Sequence, residues 1–358
     1  MMSPGIVPPY LLARIAAVQE GSWARAADAA QRTLAAPRDY TPGVRTRLRL
    51  SIDEPGVLTA ETAPAPDREI SDAQHREVVP GVRVRGEDDK PTGDTAVDEA
   101  FDGLGATFDF WWDAYARDSI DGSGSALLAT VHYGRDYDNA FWNGERMVFG
   151  DGDDDVFSGF TGSLSVIAHE LAHGVVEDSG GLVYRDQPGA LNESIADVFG
   201  ALAEQHQAGH TAAQATWLIG EGIFTDAVQG SALRSMAAPG TAYDDDVLGK
   251  DPQPAHMSGY VKTRDDNGGV HINSGIPNHA FYLVATKLGG HAWERAGLIW
   301  YRTLTAGTLP QTADFATFAR ATLTAATAEY GEESEEVDAV RAGWAGVGVI
   351  PDDAQPRS

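Results

Sequence analysis

The spacing of apolar residues changes about midway along the chain. Between residues 68 and 160 they come in short alternating or continuous runs, Val78 to Val84, Ala126 to Tyr133 and Met147 to Phe149, broken by glycine and acid. Such runs predict short strands, with one helix from about Ala96 to Asp118. Beyond residue 163 the period lengthens. Leu164, Ile167, Ala168, Leu171 and Val175 recur at three and four behind Ser163, and Ala190 to Gln207, Gly275 to Leu288, Gly290 to Ala306 and Asp314 to Tyr330 continue the helical pattern. A β-rich half followed by an α-rich half, without internal repeat, reads as α+β. Ahead of both, Pro9 opens a helix carrying Tyr10, Leu11, Leu12 and Ile15, Gly21 stops it, and Ser22 is expected to cap a second, alanine-rich helix. Residues 51–67 are rich in proline, alanine and acid, the composition of a linker.

Composition narrows the class. With 358 residues, 42% hydrophobic and 22% charged, the chain can bury a sizeable core, which excludes disorder, collagen and coiled coil. Its net charge of −27 repels phosphate backbones and anionic lipid, so neither nucleic acid nor a membrane is expected as partner. A surface this acidic reads first as a halophile-like or very soluble one. The absence of cysteine removes disulfides, thiolate metal sites and thiol nucleophiles. No apolar window is long enough to span a bilayer. The first residues lack a basic stretch and their apolar run is broken by Pro8, Pro9 and Arg14, so they do not read as a Sec-type signal; a cytoplasmic location and export by another route both stay open. Residues 1–50 carry seven arginines against three carboxylates, a charge of +4, which leaves −31 on the remainder. A small basic helical module tethered to an acidic body is the expected organisation, with an ordinary N-terminal extension as the alternative.

Three motifs carry chemistry. His169-Glu170-Leu171-Ala172-His173 lies in the first long helical pattern, so His169 and His173, four apart, project from one face and can reach one metal ion, with Glu170 on the adjoining face. Alone the pattern arises by chance in roughly one or two chains in a hundred of this length. Glu193 follows His173 by twenty residues on the next helix, with Asp197 one turn further on the same face. A carboxylate from a second helix makes a third zinc ligand and leaves one tetrahedral position for water, while Asp197 can accept the remaining imidazole N–H of a ligand histidine. Requiring both acids lowers the chance rate below roughly one in ten thousand. Third, Asp265-Asp266-Asn267-Gly268-Gly269-Val270-His271 uses a turn of the Asn-Gly type to place His271 just before a helix, with Asp266 near enough to orient its ring.

HELAH, NESIAD twenty residues later, and DNGGVHINSG together closely resemble the thermolysin-like zinc metallopeptidases, as do NAFWNGERMVFGDGD (Asn139 to Asp153), GLVYR (Gly181 to Arg185) and ALRSM (Ala232 to Met236). The resemblance covers about residues 68–345. The head GIVPPYLL resembles the short prosegment of the protealysin-like branch.

The resemblance implies a two-domain thermolysin-like fold: a prosegment at 1–50, a linker at 51–67, a β-rich catalytic half at 68–162, the zinc helix with an α-helical half at 163–350, and a tail at 351–358. It implies a zinc endopeptidase in which His169, His173 and Glu193 hold the metal and Glu170 is the general base that takes a proton from the metal-bound water. Asp197 is then the partner of His169. Tyr184 and His271 donate to the oxyanion, Asp266 orients His271, and Arg234 holds the carbonyl of the residue after the scissile bond. Asn139 and Ala140, on an edge strand, pair with the peptide as an added strand. The pocket for the residue after the scissile bond maps to Phe157, Phe160, Val166 and Leu233, all apolar, so cleavage is expected before Leu, Ile or Phe.

One departure touches calcium. Thermolysin has an aspartate four residues before the first zinc histidine that serves a paired calcium site, whereas this chain has Ser165, and the acidic loop expected after Glu204 is replaced by AGHTAAQATW. The run Asp151 to Asp155 is a weaker calcium candidate, since solvated acid is the better reading of it. The basic leader is expected to dock on the acidic body as an intramolecular inhibitor until the linker is cut, with Leu50, Ile52, Val57 and Leu58 as self-cleavage positions. The expected partner is a protein or peptide substrate, and the expected state a monomer. A catalytically silent peptide-binding protein is the rival reading; a closed structural zinc site is a second, though no fourth protein ligand is evident near the motifs.

Overall fold

The computed structural model describes residues 5–18, 21–40, 50–52, 58–60 and 64–351. Helix α1 (Pro9–Ala16) opens on proline, whose missing N–H is no loss at a first helical position, and buries Leu11, Leu12 and Ile15. Helix α2 (Ala24–Ala35) is entered through a 3₁₀ turn at Gly21–Trp23. Ser22 therefore sits inside that turn rather than capping α2. The turn runs straight into the helix, so no extended residue stands at the break for a serine side chain to cap. Part of the segment read as linker is paired: β1 (Leu50–Ile52) lies antiparallel to β2 (Leu58–Ala60). Val57 lies outside the described residues, as does 352–358 of the expected tail.

The β-rich half is a five-stranded sheet built from β3 (Arg68–Asp72), β4 (Val82–Gly86), β5 (Leu127–Val131), β6 (Ala140–Trp142) and β7 (Met147–Phe149), in the order β4-β3-β5-β7-β6. The three central strands run parallel, with Ile70 beside Ala129 and Ala129 beside Met147, while β4 and β6 close the two edges antiparallel. Helix α3 (Thr95–Tyr115) starts at Asp94, whose carboxylate accepts the Val97 N–H, and packs on β3 and β5.

The helical half follows with α4 (Leu164–Asp178), α5 (Asp186–Ala208), α6 (Asp266–Asn273), α7 (Gly275–Leu288), α8 (Leu298–Thr305), α9 (Phe315–Tyr330) and α10 (Glu335–Gly346). The helix expected from Gly290 instead forms a π turn at Trp293–Gly297 and continues as α8. Trp300 and Trp344, both fully buried, stack 6.0 Å apart and anchor α8 to α10. Helix α4 is the axle of the molecule. Every residue from Ser165 to Val176 is buried, against the sheet through β6 and β7, against α3, and against α5. A helix hydrophobic on all sides belongs in a core, and this one joins the two halves.

In that packing α5 meets the backbone of α4 at Gly200. A Cβ there meets Ser165 O at 2.6 Å and His169 Cβ at 3.3 Å, so only glycine lets the two helices approach this closely. Gly200→Ala is expected to destabilise the protein by about 1–3 kcal/mol and to weaken metal retention with it. Urea unfolding and zinc competition on the same variant check this; full zinc affinity alongside lost stability would separate packing from the site.

Candidate metal and catalytic site

Helix α4 presents His169 and His173 from one face, and α5, held close by Gly200, presents Glu193 and Asp197 one turn apart. All four side chains are buried, His173 being the most exposed at 4%. His169 Nδ1 stands 2.8 Å from Asp197 Oδ1, and His173 Nδ1 lies 2.8 Å from Asn192 Oδ1. Those partners take the Nδ1 protons, which leaves both Nε2 atoms with free lone pairs. The two Nε2 atoms face each other at 3.1 Å, and Glu193 approaches them at 3.6 and 3.5 Å. Glu193 Oε2 is buried without a hydrogen-bond partner. Burial holds both imidazoles down at about pH 4, the neutral form that ligates. Two lone pairs and an unpartnered carboxylate oxygen converging on one point form a donor set that fits zinc.

Asp197 anchors the far side. It receives Arg234 Nε and Nη2, each at 2.8 Å, and Asn278 Nδ2 at 2.8 Å. Burial opposes its charge, but Arg234 and His169 outweigh burial and hold the carboxyl well below the usual range. Glu170 is fully buried; its Oε2 accepts the Trp142 N–H at 2.8 Å, and its Oε1 has no partner. Burial, then Glu193, pushes its carboxyl well above the ordinary value.

His271 lies on the other wall. It stands four residues before α7, as the sequence expects, in the single turn that closes α6. The four residues Asp266, Asn267, Gly268 and Gly269 adopt left-handed φ values of 51, 50, 90 and 77°, so the glycine turn is itself coiled and leads directly into the turn that holds His271. Asp266 Oδ1 contacts His271 Nδ1 at 2.6 Å and Oδ2 accepts the His271 N–H at 2.9 Å. Burial disfavours the imidazolium, but Asp266 and Glu193 prevail and raise it to about 9. Tyr184 hydrogen-bonds Glu193 and lies 3.3 Å from His271 Nε2. A cavity of about 260 Å³ opens beside this wall, lined among others by Trp142, His173, Leu182, Tyr184 and Asn192.

The expected substrate contacts are occupied by the head of the chain. Ile6 N–H donates to Ala140 O at 3.0 Å on edge strand β6, and Arg234 Nη1 donates to Ile6 O at 3.0 Å. Asn139 holds Val7 both ways, accepting its N–H at 2.9 Å and donating to its carbonyl at 3.1 Å. Gly5 O lies 3.1 Å from His271 Nε2. Ile6 is fully buried in the same apolar cluster as Phe157, Phe160, Val166 and Leu233, and the Phe157 and Phe160 rings lie 5.6 Å apart. Further contacts join the leader to the body: Arg25 to Asp155 at 2.9 Å, Arg32 to Asp136 at 2.8 Å, and Arg14 to Asp246 O at 3.2 Å.

Contacts thus bring His169, Glu170, His173, Tyr184, Glu193, Asp197, Arg234, Asp266 and His271 together with Asn139 and Ala140 around the head of the chain, while Phe157, Phe160, Val166 and Leu233 lie in the main apolar core. Two neighbours had no assigned role in the sequence reading. Asn192 orients His173, and its place beside Glu193 in the motif was a usable signal. Asn278, 81 residues from Asp197, offered none.

Family-model comparison matches residues 61–177 to the thermolysin metallopeptidase catalytic domain and 180–349 to the thermolysin metallopeptidase α-helical domain. An extracellular metalloprotease of Pectobacterium carotovorum subsp. carotovorum is 49% identical over 346 residues, spanning 96% of each chain. A thermolysin of Alicyclobacillus acidocaldarius is 39% identical over 287 residues, 78% of this chain and 50% of the relative. Among solved structures, the precursor of protealysin, a metalloproteinase from Serratia proteamaculans, superposes with a TM-score of 0.87 at 48% identity, over 97% of this chain and 100% of the other.

Asp197→Asn keeps the shape but gives up the charge that holds His169. Zinc affinity is expected to fall about 10–100-fold, measured by competition with a chelator at fixed pH; an unchanged affinity would mean that Asp197 serves Arg234 alone.

Proposed function

The chain belongs to the thermolysin metallopeptidase family, as a zinc endopeptidase of the protealysin type, and on that footing we propose how its residues divide the work. His169, His173 and Glu193 hold the zinc. The observation that carries this is the pair of Nε2 lone pairs 3.1 Å apart beside the unpartnered Oε2 of Glu193. When bound, zinc supplies a Lewis acid for the substrate carbonyl and lowers the pKa of coordinated water to about 7. Glu170 is the general base and later hands the proton to the leaving amine. Its raised carboxyl and the unpartnered Oε1 suit a group that must accept and release a proton near neutral pH. Asp197 holds His169 and Arg234 in place from behind. His271, kept charged by Asp266, and Tyr184 donate to the oxyanion that forms on the carbonyl.

Ala140 pairs with the peptide backbone, Asn139 clamps the second residue after the scissile bond, and Arg234 holds the carbonyl of the first. The contacts of Ile6 and Val7 support these roles, because both residues make them with their own backbone. Phe157, Phe160, Val166 and Leu233 line the pocket for the residue after the cut, which selects apolar side chains. By the same contacts the leader is an intramolecular inhibitor, and the chain is made as a proenzyme. The Pectobacterium relative is named extracellular, which supports a place of action outside the cell; no helix of the described residues is long and apolar enough to cross a membrane. The paired calcium site gains no support: Ser165 accepts the Gly220 N–H at 3.1 Å and bonds Glu204, so these two residues satisfy each other.

Glu170→Gln is expected to lower turnover by about 10²–10⁴-fold or more with zinc content unchanged, which casein digestion and metal analysis check on chains whose leader has been cut off; active E170Q would point to another base, and a leader-free wild type that holds zinc yet stays inactive to the peptide-binding rival. A peptide library is expected to show cleavage before Leu, Ile and Phe, and preferred cleavage before charged residues overturns the pocket assignment. Ile6→Asp is expected to speed processing of the zinc-loaded chain, followed by mass; a stable, fully active, uncut wild-type chain overturns the proenzyme reading.

A further inference from the structure

A second group of metal-ligating side chains lies outside the cleft, at the sheet. Because β3, β5 and β7 run parallel, their C-terminal ends share one edge, and each is followed by a polar residue: His75 three residues after β3, His132 directly after β5, Asp151 two residues after β7. The backbone pairing continues past the strands and fixes these residues side by side, with Ala73 N–H to Val131 O at 3.0 Å, His75 N–H to His132 O at 2.9 Å and Tyr133 N–H to Phe149 O at 3.0 Å. His75 Nδ1 lies 3.2 Å from Asp151 Oδ2, and His132 Nδ1 lies 2.9 Å from Asp151 Oδ1.

We propose that His75, His132 and Asp151 form a second site for a divalent transition metal of the zinc class, separate from the catalytic cleft and independent of the roles assigned there. All three ligand atoms lie within 4.8 Å of one another, as do those of His169, His173 and Glu193. Ligands at zinc bonding distance in a tetrahedron stand about 3.3 Å apart, close to the cleft distances and to the two histidine–carboxylate distances here. The surroundings repeat the cleft as well. His132 uses Nδ1 toward the metal position while its Nε2 stands 3.2 Å from Asp94 Oδ2, the arrangement in which a carboxylate orients a ligand imidazole. Both histidines sit in the left-handed region, with φ of 55° at His75 and 53° at His132, and Gln74 between β3 and His75 has 57°. Non-glycine residues adopt this conformation rarely, and it persists where the surroundings over-determine it.

Two imidazole nitrogens and one carboxylate oxygen suit zinc or its neighbours and exclude calcium, which takes oxygen ligands. The His75 side chain is 60% exposed, so the metal reaches the site from solvent and water completes its shell. Occupancy would fasten three strand ends together. It would also brace the loop that starts at Asp151, where Asp153 Oδ1 accepts the N–H groups of Asp155, Val156 and Phe157 and so sets Phe157 in the cleft.

The test uses the full chain carrying Glu170→Gln, which prevents self-cleavage, in equilibrium dialysis against zinc chloride. Two specific zinc ions per chain are expected. His75→Ala, at an exposed position that the fold tolerates, and Asp151→Asn are each expected to reduce the count by one, and His169→Ala to remove the other ion. Zinc beyond the first equivalent should raise the melting temperature of the parent but not of H75A. A parent that binds a single zinc, or an H75A variant that keeps two, overturns the proposal and leaves His132 as an imidazole ion-paired between Asp94 and Asp151. Calcium in tenfold excess is expected to leave the second zinc in place, and displacement by calcium overturns the nitrogen ligation.

Discussion

The site exists because two helices touch at their backbones. Helix α4 carries the histidines and α5 the acids, and with a side chain at Gly200 the helices would stand further apart at the level of His169. The separation matters because Glu193 must reach both Nε2 atoms while Asp197, one turn on, reaches Nδ1 of the same His169. Residues four apart on a helix are about 6 Å apart along its axis, so one interaxial distance serves both contacts at once. The contact therefore decides the positions of the metal ligands and of Arg234, which is tied to Asp197.

Charge balance supports the same view from another direction. Glu170, Glu193, Asp197 and the Asp266 side chain are all buried here, against two cations, Arg234 and the His271 imidazolium. His169 and His173 are neutral. The cluster is two negative charges in excess without a metal, and a buried charge left unpaired is costly. One of the two is relieved at Glu170, whose carboxyl is pushed up by burial and by Glu193. A divalent cation between the histidines supplies the two missing charges, so the donor set fits zinc by charge as well as by geometry.

The chemistry of the cleft was more legible in the sequence than its scaffold. The i, i+4 histidines specify one helix face without knowledge of the fold, and the late helices Gly275–Leu288 and Phe315–Tyr330 follow the apolar period closely. Ser22 was misplaced because a 3₁₀ turn continues into helix where glycine normally signals a break. The pairing of β1 with β2 lies almost entirely within a stretch whose proline, alanine and acid content is that of a linker, which masks the alternation of Leu50 and Ile52. Asp151 stood out only as part of an acidic run, and its place beside His75 and His132 gave no signal, because parallel strands are joined by long crossovers and their register leaves no local trace. Asn278 reaches Asp197 only through the packing of α7 on α5.

In the proposed proenzyme, the basic charge of the leader explains less of its hold than it first suggests. The Arg25 and Arg32 pairs are at the surface, where such pairs contribute little and are screened by salt. What fills the cleft is the buried Ile6 side chain, the backbone pairing with edge strand β6, and the Arg234 bond. These contacts are short-range and are the same before and after any cut in the linker. Cleavage therefore acts on the tether. A covalently joined segment faces its site at an effective concentration of about millimolar, whereas a released one is diluted into bulk and must compete with substrate for the same edge strand. A leader can thus bind by the contacts a substrate uses, block the site while attached, and be lost once free, with no change in any residue of the cleft.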